Sequence, residues 1–250
     1  MEVNTMIYVI GIGPGSINHM TYEARTCIQK CDVIVGYKTY TELIRELTID
    51  KMVVENGMRR EVERCQKAID LAMTGKTVGV ISSGDAGVYG MAGLILEMIT
   101  TLDCPRDSRL RVEIIPGVTA SSAAAAIVGA PLMHDYCHIS LSDLLTPIDL
   151  IEKRIRMATR GEFVMCFYNP RSIGRKDHLS QAFKWISEET GIDLVVAHIK
   201  DAYRESQNHA FYTLKTMNFE EVTMTSIVLV GNPQTKIYDE FMITPRGYHV

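Results

Sequence analysis

A chain of 250 residues with 46% hydrophobic and 22% charged residues has a globular balance, which excludes collagenous, low-complexity and disordered proteins. Its formal net charge of −4 argues against broad nucleic-acid binding, so an anionic ligand must be held by a local basic patch. No apolar run reaches the roughly 18–20 residues of a spanning helix, Met1–Met6 lacks a basic leader, and six cysteines form no CxxC pair, so a cytoplasmic enzyme with reduced thiols and no membrane partner is expected.

In chain order, the first half alternates brief β-branched runs with helical spacing. Ile7–Ile12, Asp32–Val35, Met52–Val54, Thr77–Ile81 and Arg111–Ile115 read as strands, and Thr21–Lys30, Glu61–Met73 and Val88–Ile99 as helices. Strands that are nearly continuous in apolarity are covered on both faces, so the pattern predicts a mostly parallel sheet with crossover helices. Ile115–Pro131 then carries a small-residue helix, and the boundary is placed at Pro116, giving domains 1–116 and 117–250.

The second half reads as strands at His138–Leu141, Phe163–Tyr168 and Leu194–Ile199, with helices Pro147–Arg160 and Leu179–Glu189. Thr146 is expected to cap the first of these helices, with Pro147 at its first position and Asp149 favourable to its dipole. His209–Thr213, Thr225–Val230 and Phe241–Ile243 follow without room for crossover helices, which predicts antiparallel pairing in a mixed second sheet. The class is therefore α/β, with a mostly parallel N-terminal sheet and a mixed C-terminal one.

Four turns at predicted strand ends carry candidate chemistry. Gly11-Ile12-Gly13-Pro14-Gly15 departs from the GxGxxG spacing, and Tyr37 and Lys38 stand where a ribose-binding acid would be. Ser82–Gly90 (SSGDAGVYG) places small residues and Asp85 after the fourth strand, although a helix-capping carboxylate would explain Asp85 equally well. Pro116–Ala120 (PGVTA) and Phe167–Pro170 (FYNP) end two further strands. Cys27 with Cys31, and His134 with Cys137 and His138, lack a second ligand pair, so no metal site is expected.

GIGPG, SSGDAGVYGMAG, PGVTA, CFYNPRSIGR and the closing TPRGY together resemble the tetrapyrrole (corrin and porphyrin) methyltransferases across nearly the whole chain. GYKTYTELI, GMRREVERC and GAPLMHDYCHISLSDLLTP look like the branch that methylates carbon 17 and contracts the ring. CHISLSDLLTP is most similar to the anaerobic form acting on cobalt-precorrin-3, and the aerobic form acting on precorrin-3B shares most of the motifs. The resemblance implies S-adenosylmethionine held in a cleft between two α/β domains, a corrinoid substrate and a homodimer. It carries cofactor contacts onto Pro14, Ser83, Gly84, Asp85, Val88, Thr119, Ala120, Asn169 and Ala202. The acid/base pair of the uroporphyrinogen branch does not carry over, because its places hold Tyr37 and either Asn56 or Met58.

Ring contraction needs proton transfers, for which Tyr37, Lys38, His138 and Asp143 are the candidates, each at or just beyond a predicted strand. Substrate carboxylates point to two basic groups: Lys38 with Arg59 and Arg60, and Arg171 with Arg175 and Lys176. A nicotinamide oxidoreductase and a tetrapyrrole carrier without turnover are the rival readings.

Overall fold

A computed structural model describes residues 5–57, 60–101 and 110–249. Its contacts divide the chain into two compact units, Met1–Ala120 and Ser121–Val250, so the division falls just after the expected Pro116 boundary.

The first unit runs β1 (Thr5–Gly11), α1 (Tyr22–Lys30), β2 (Val33–Tyr37), α2 (Lys38–Glu42), β3 (Met52–Asn56), α3 (Glu61–Met73), β4 (Thr77–Ser82), α4 (Ala92–Thr100) and β5 (Leu110–Ile115). The five strands are all parallel, in the order β3-β2-β4-β1-β5. Alternation sends Ile7, Val9, Val33 and Val35 to a core shared with α3 and α4. Ile10 and Ile34 go to the opposite core with Ala24, Cys27 and Ile28 of α1. Each such Ile or Val contributes about 1.5–3 kcal/mol by leaving water. Thr21 caps α1, its hydroxyl accepting Ala24 N–H at 3.1 Å. Because all strands run one way and β4, β1 and β5 are neighbours, the loops following these three leave the sheet side by side. Ligands of open α/β sheets bind at that edge.

The second unit starts on α5 (Ala120–Val128) and continues β6 (Gly129–Ala130), β7 (Tyr136–Ser140), α6 (Ile148–Arg160), β8 (Val164–Tyr168), α7 (His178–Thr190), β9 (Val195–Lys200), β10 (Asn208–Thr213), β11 (Ser226–Val230), β12 (Lys236–Tyr238) and β13 (Phe241–Ile243). Its main sheet has the order β10-β9-β11-β8-β7, with β7 and β8 parallel and the remaining pairs antiparallel. Phe167, Ile151, Ile155, Phe183 and Ile186 fill the core beneath it. Arg156 ties α6 to α7 through Glu188 at 2.7 Å and Glu189 at 2.9 Å.

Three expectations need correction. Phe241–Ile243 leaves the main sheet and pairs with β12 and β6 in a separate three-stranded sheet. Gly129 permits this, since a Cβ there would lie 2.9 Å from Met242 O. The helix expected from Val88 starts at Ala92, because Asp85 holds the amides of Gly87 and Val88 in a turn and Tyr89 is left-handed at φ 53°. Finally, α6 begins at Ile148 with the extended Pro147 at its cap position and no side-chain cap from Thr146. Among the described residues no helix is long and apolar enough to cross a membrane.

Candidate active site

The loops after β1, β4 and β5 touch backbone to backbone at three glycines. A Cβ on Gly117 would sit 2.2 Å from Gly84 O and 2.6 Å from Gly11 O, and one on Gly11 would meet Gly117 N at 2.7 Å. Gly13 and Gly84 exchange two hydrogen bonds, 3.0 Å from Gly13 N to Gly84 O and 2.7 Å in return. Both glycines are left-handed, at φ 77° and 69°, where a side chain is strained. Asp85 locks the set. Its Oδ1 accepts from Gly87 N at 2.7 Å and Val88 N at 3.1 Å, and its Oδ2 accepts from Gly117 N at 2.9 Å. The carboxylate therefore spans two loops and does not cap α4. Around this frame Pro14 is buried, Ser83, Asp85, Val88, Thr119 and Ala120 are half-buried, and Gly87 is exposed. The structure thus brings every first-half cofactor candidate onto three adjoining strand ends.

In the second unit, Asn169 follows β8 in the left-handed conformation (φ 52°), and its Nδ2 donates to Ser140 Oγ at 3.0 Å. Beside it, Tyr168 Oη accepts the amide of Ser121 at 3.0 Å, and Ser121 Oγ meets His138 Nε2 at 2.7 Å. His138 and Tyr168 are 5.1 Å apart ring to ring. Ala202 is half-buried between two left-handed residues, Asp201 and Tyr203, beyond β9.

The other candidates are dispersed. Tyr37 ends β2, half-buried and edge-on to Tyr40 at 5.2 Å. Lys38 is exposed and lines a cavity of about 590 Å³ with Thr41, Arg45 and Glu55. Asp143 Oδ2 lies 3.0 Å from His178 Nε2, and that contact, ahead of the nearby Arg175 charge, holds its carboxyl below the usual range. An ionised Asp143 is no proton donor at neutral pH. Arg59 lies outside the described residues, while Arg60 is exposed and 3.6 Å from Glu63. Arg171 is engaged, its guanidinium donating to Phe219 O and to Glu220 Oε2 at 2.8 Å. Arg175 is buried, with Nη1 donating to Ser142 Oγ at 2.5 Å.

Sequence reasoning passed over Arg64. It lies on the buried face of α3 with Cys65 and Ala68, a position visible in the helical period. Its Nε donates to Asn56 Oδ1 at 2.8 Å and Nη2 to Gly57 O at 3.1 Å, so Asn56 serves as an acceptor in this framework. Burial pushes the Cys31 thiol up to about 12 and those of Cys65 and Cys137 up to about 11. Protonated thiols of this kind are poor nucleophiles. No three His, Cys, Asp or Glu among the described residues gather as a metal set.

Burial lowers the imidazole pKa of both His138 and His198 from the ordinary 6.5. Since the unfolded chain then takes up protons before the folded one, their contribution to stability is complete above 6.5 and is lost as pH falls through the lowered values. Calorimetric scans are expected to show a melting temperature that drops on acidification below 6.5. In a His198→Gln variant that slope should flatten; an unchanged slope in that variant and in His138→Gln would contradict the assignment.

A frame of small residues at three parallel strand ends, with buried inert thiols, suits alignment of a bound group better than covalent catalysis. The chain belongs to the tetrapyrrole (corrin/porphyrin) methylases, whose family model matches residues 6–218. More particularly, it is 54% identical over 243 residues to a Salmonella typhimurium protein named "Probable cobalt-factor III C(17)-methyltransferase", covering 97% of this chain and 99% of that one. A precorrin-3B C(17)-methyltransferase from Sinorhizobium is 35% identical over 247 residues, covering 97% and 96%. The crystal structure of the methyltransferase CobJ matches with a TM-score of 0.90 and 34% identity, over 96% of this chain and 99% of that one.

Proposed function

We propose that this protein transfers a methyl group from S-adenosylmethionine to carbon 17 of cobalt-factor III, with ring contraction, in anaerobic cobalamin biosynthesis. The near-full-length identity of 54% to the Salmonella protein carries the reading, against 35% to the precorrin-3B enzyme. When bound, S-adenosylmethionine supplies an already activated sulfonium methyl, so the protein's task is to bind, align and exclude water. Alignment alone can supply about 7–11 kcal/mol of barrier lowering.

The residues present fit that task. Loops joined at Gly11, Gly84 and Gly117 bring backbone together among small side chains, with Thr119 and Ala120 opening α5. Pro14, Ser83, Gly84, Asp85, Val88, Thr119 and Ala120 are the proposed cofactor residues of the first unit, and Asn169 and Ala202 those of the second. His138, neutral because burial lowers its pKa, is the proposed proton acceptor, with Tyr37 and Lys38 as further proton-handling groups. Asp143, its carboxyl held ionised beside His178, is a further candidate as a proton acceptor. The same reading makes the protein a cytoplasmic homodimer with a corrinoid as its small-molecule partner.

Incubating the purified protein with cobalt-factor III and S-adenosylmethionine should give a product heavier by one methyl group, placed on carbon 17 by NMR. Preference for precorrin-3B would move it to the aerobic reaction. Calorimetry showing NAD binding and no response to S-adenosylhomocysteine would overturn the methyltransferase reading.

A further inference from the structure

Among the described residues, the structure singles out one of the guanidinium groups that the sequence offers for an acidic substrate. Arg175 is only 8% exposed, and its Nε–H has no hydrogen-bond partner among the described residues. Leaving a charged donor unmet in the interior is costly, on the order of 1–3 kcal/mol or more. The loop holds it there firmly: Ser172 and Arg175 exchange two backbone hydrogen bonds of 3.1 Å, and Nη1 is fixed on Ser142 Oγ. The charge that faces it is Asp143, whose Oδ2 lies 3.0 Å from His178 Nε2.

Three other arginines are answered. Arg171 has Glu220, exposed Arg60 has Glu63, and buried Arg64 has three neutral acceptors, Asn56, Gly57 O and the Met91 sulfur. The two loops that meet at Ser142 and Arg175 also display Leu144, Leu145 and Ile173, which are 63%, 98% and 95% exposed. Large aliphatic side chains this open, on loops after the parallel strands β7 and β8, mark a contact surface.

Resting on the tetrapyrrole reading, we infer that Arg175 and Ser142 receive one peripheral carboxylate of the macrocycle, with Leu144, Leu145 and Ile173 against the apolar ring edge beside it. With Nη1 committed to Ser142 and Nε shielded from solvent, Nη2 is the nitrogen that a carboxylate reaches, and the unmet Nε–H on the same edge completes the paired geometry arginine favours. Ionic attraction is thereby supplied locally in a chain of net charge −4.

The test uses uroporphyrin III, an unreactive polycarboxylate, titrated into the whole protein at low and high salt, with S-adenosylhomocysteine titrated separately. Arg175→Gln should weaken uroporphyrin binding about tenfold and reduce its salt dependence. Arg175→Lys should recover part of the affinity, and S-adenosylhomocysteine affinity should stay unchanged. Arg154→Gln, at an exposed α6 position, is the charge-matched control and should leave both titrations as they were. Should Arg175→Gln fail to fold, Leu145→Ser tests the same surface and should weaken uroporphyrin binding about threefold, the loss of part of a side chain's burial. Unchanged affinity and salt dependence in folded Arg175→Gln, or in Leu145→Ser where that variant stands in, overturns the inference and leaves the methyltransferase reading intact. A wild-type protein that binds neither ligand overturns that reading, and this inference with it.

Discussion

Gly117→Ala is expected to abolish S-adenosylhomocysteine binding and methyl transfer while the chain still folds. The added Cβ would lie 2.2 Å from Gly84 O and 2.6 Å from Gly11 O, both backbone atoms of neighbouring strand-end loops. Neither neighbour can yield cheaply, because Gly84 is doubly bonded to Gly13 and the Gly117 amide is held by Asp85. Relief requires the loops to part, at about 3 kcal/mol, which lowers the melting temperature by about 10 °C. Gly93→Ala is the matched control. Gly93 lies in α4 with nothing within 4 Å of its would-be Cβ, so that change should stabilise by about 0.5–1 kcal/mol. Unchanged cofactor affinity in folded Gly117→Ala would mean that the contact of the three loops is irrelevant to binding.

Asp85→Asn should weaken S-adenosylhomocysteine binding by about 30–100-fold, the equivalent of one lost charge-assisted hydrogen bond and a donor facing a donor. The carboxylate accepts three backbone amides through two oxygens, and an amide side chain has one acceptor oxygen. Whichever way it turns, either the Gly87 and Val88 amides or that of Gly117 meets an NH₂ group. Because the damage is to loop positions, the melting temperature should fall as well, and uroporphyrin affinity should hold within about twofold. An unchanged melting temperature with lost cofactor affinity would instead assign Asp85 to direct ligand contact alone.

Much of this was legible from residue order. Strand runs such as Ile7–Ile12 and Thr77–Ile81 are short, branched and apolar throughout, and such runs are stable only between two covering layers. The parallel first sheet and the antiparallel end of the second followed from the lengths of the connections. GIGPG, SSGD and PGVTA marked where backbone must come close, since only residues without bulk allow it. Local rules failed where a tertiary partner competed for the same groups. Asp85 drew the amides of Gly87 and Val88 into a turn and delayed α4 to Ala92, and Gly129 let β13 pair outside the main sheet.

Residue order by itself determined the α/β class, the methylase family and the strand ends on which the chemistry sits, because these depend on periodicity, connection length and contiguous motifs. Tertiary structure alone decided which charges remain available. Arg171 and Arg175 look alike in RSIGR, yet one is paired with Glu220, 49 residues away, and the other is buried with an unmet Nε–H. Whether a charge is answered depends on what the fold brings within about 3 Å of it, the reach of a hydrogen bond, and neighbours along the chain do not specify that.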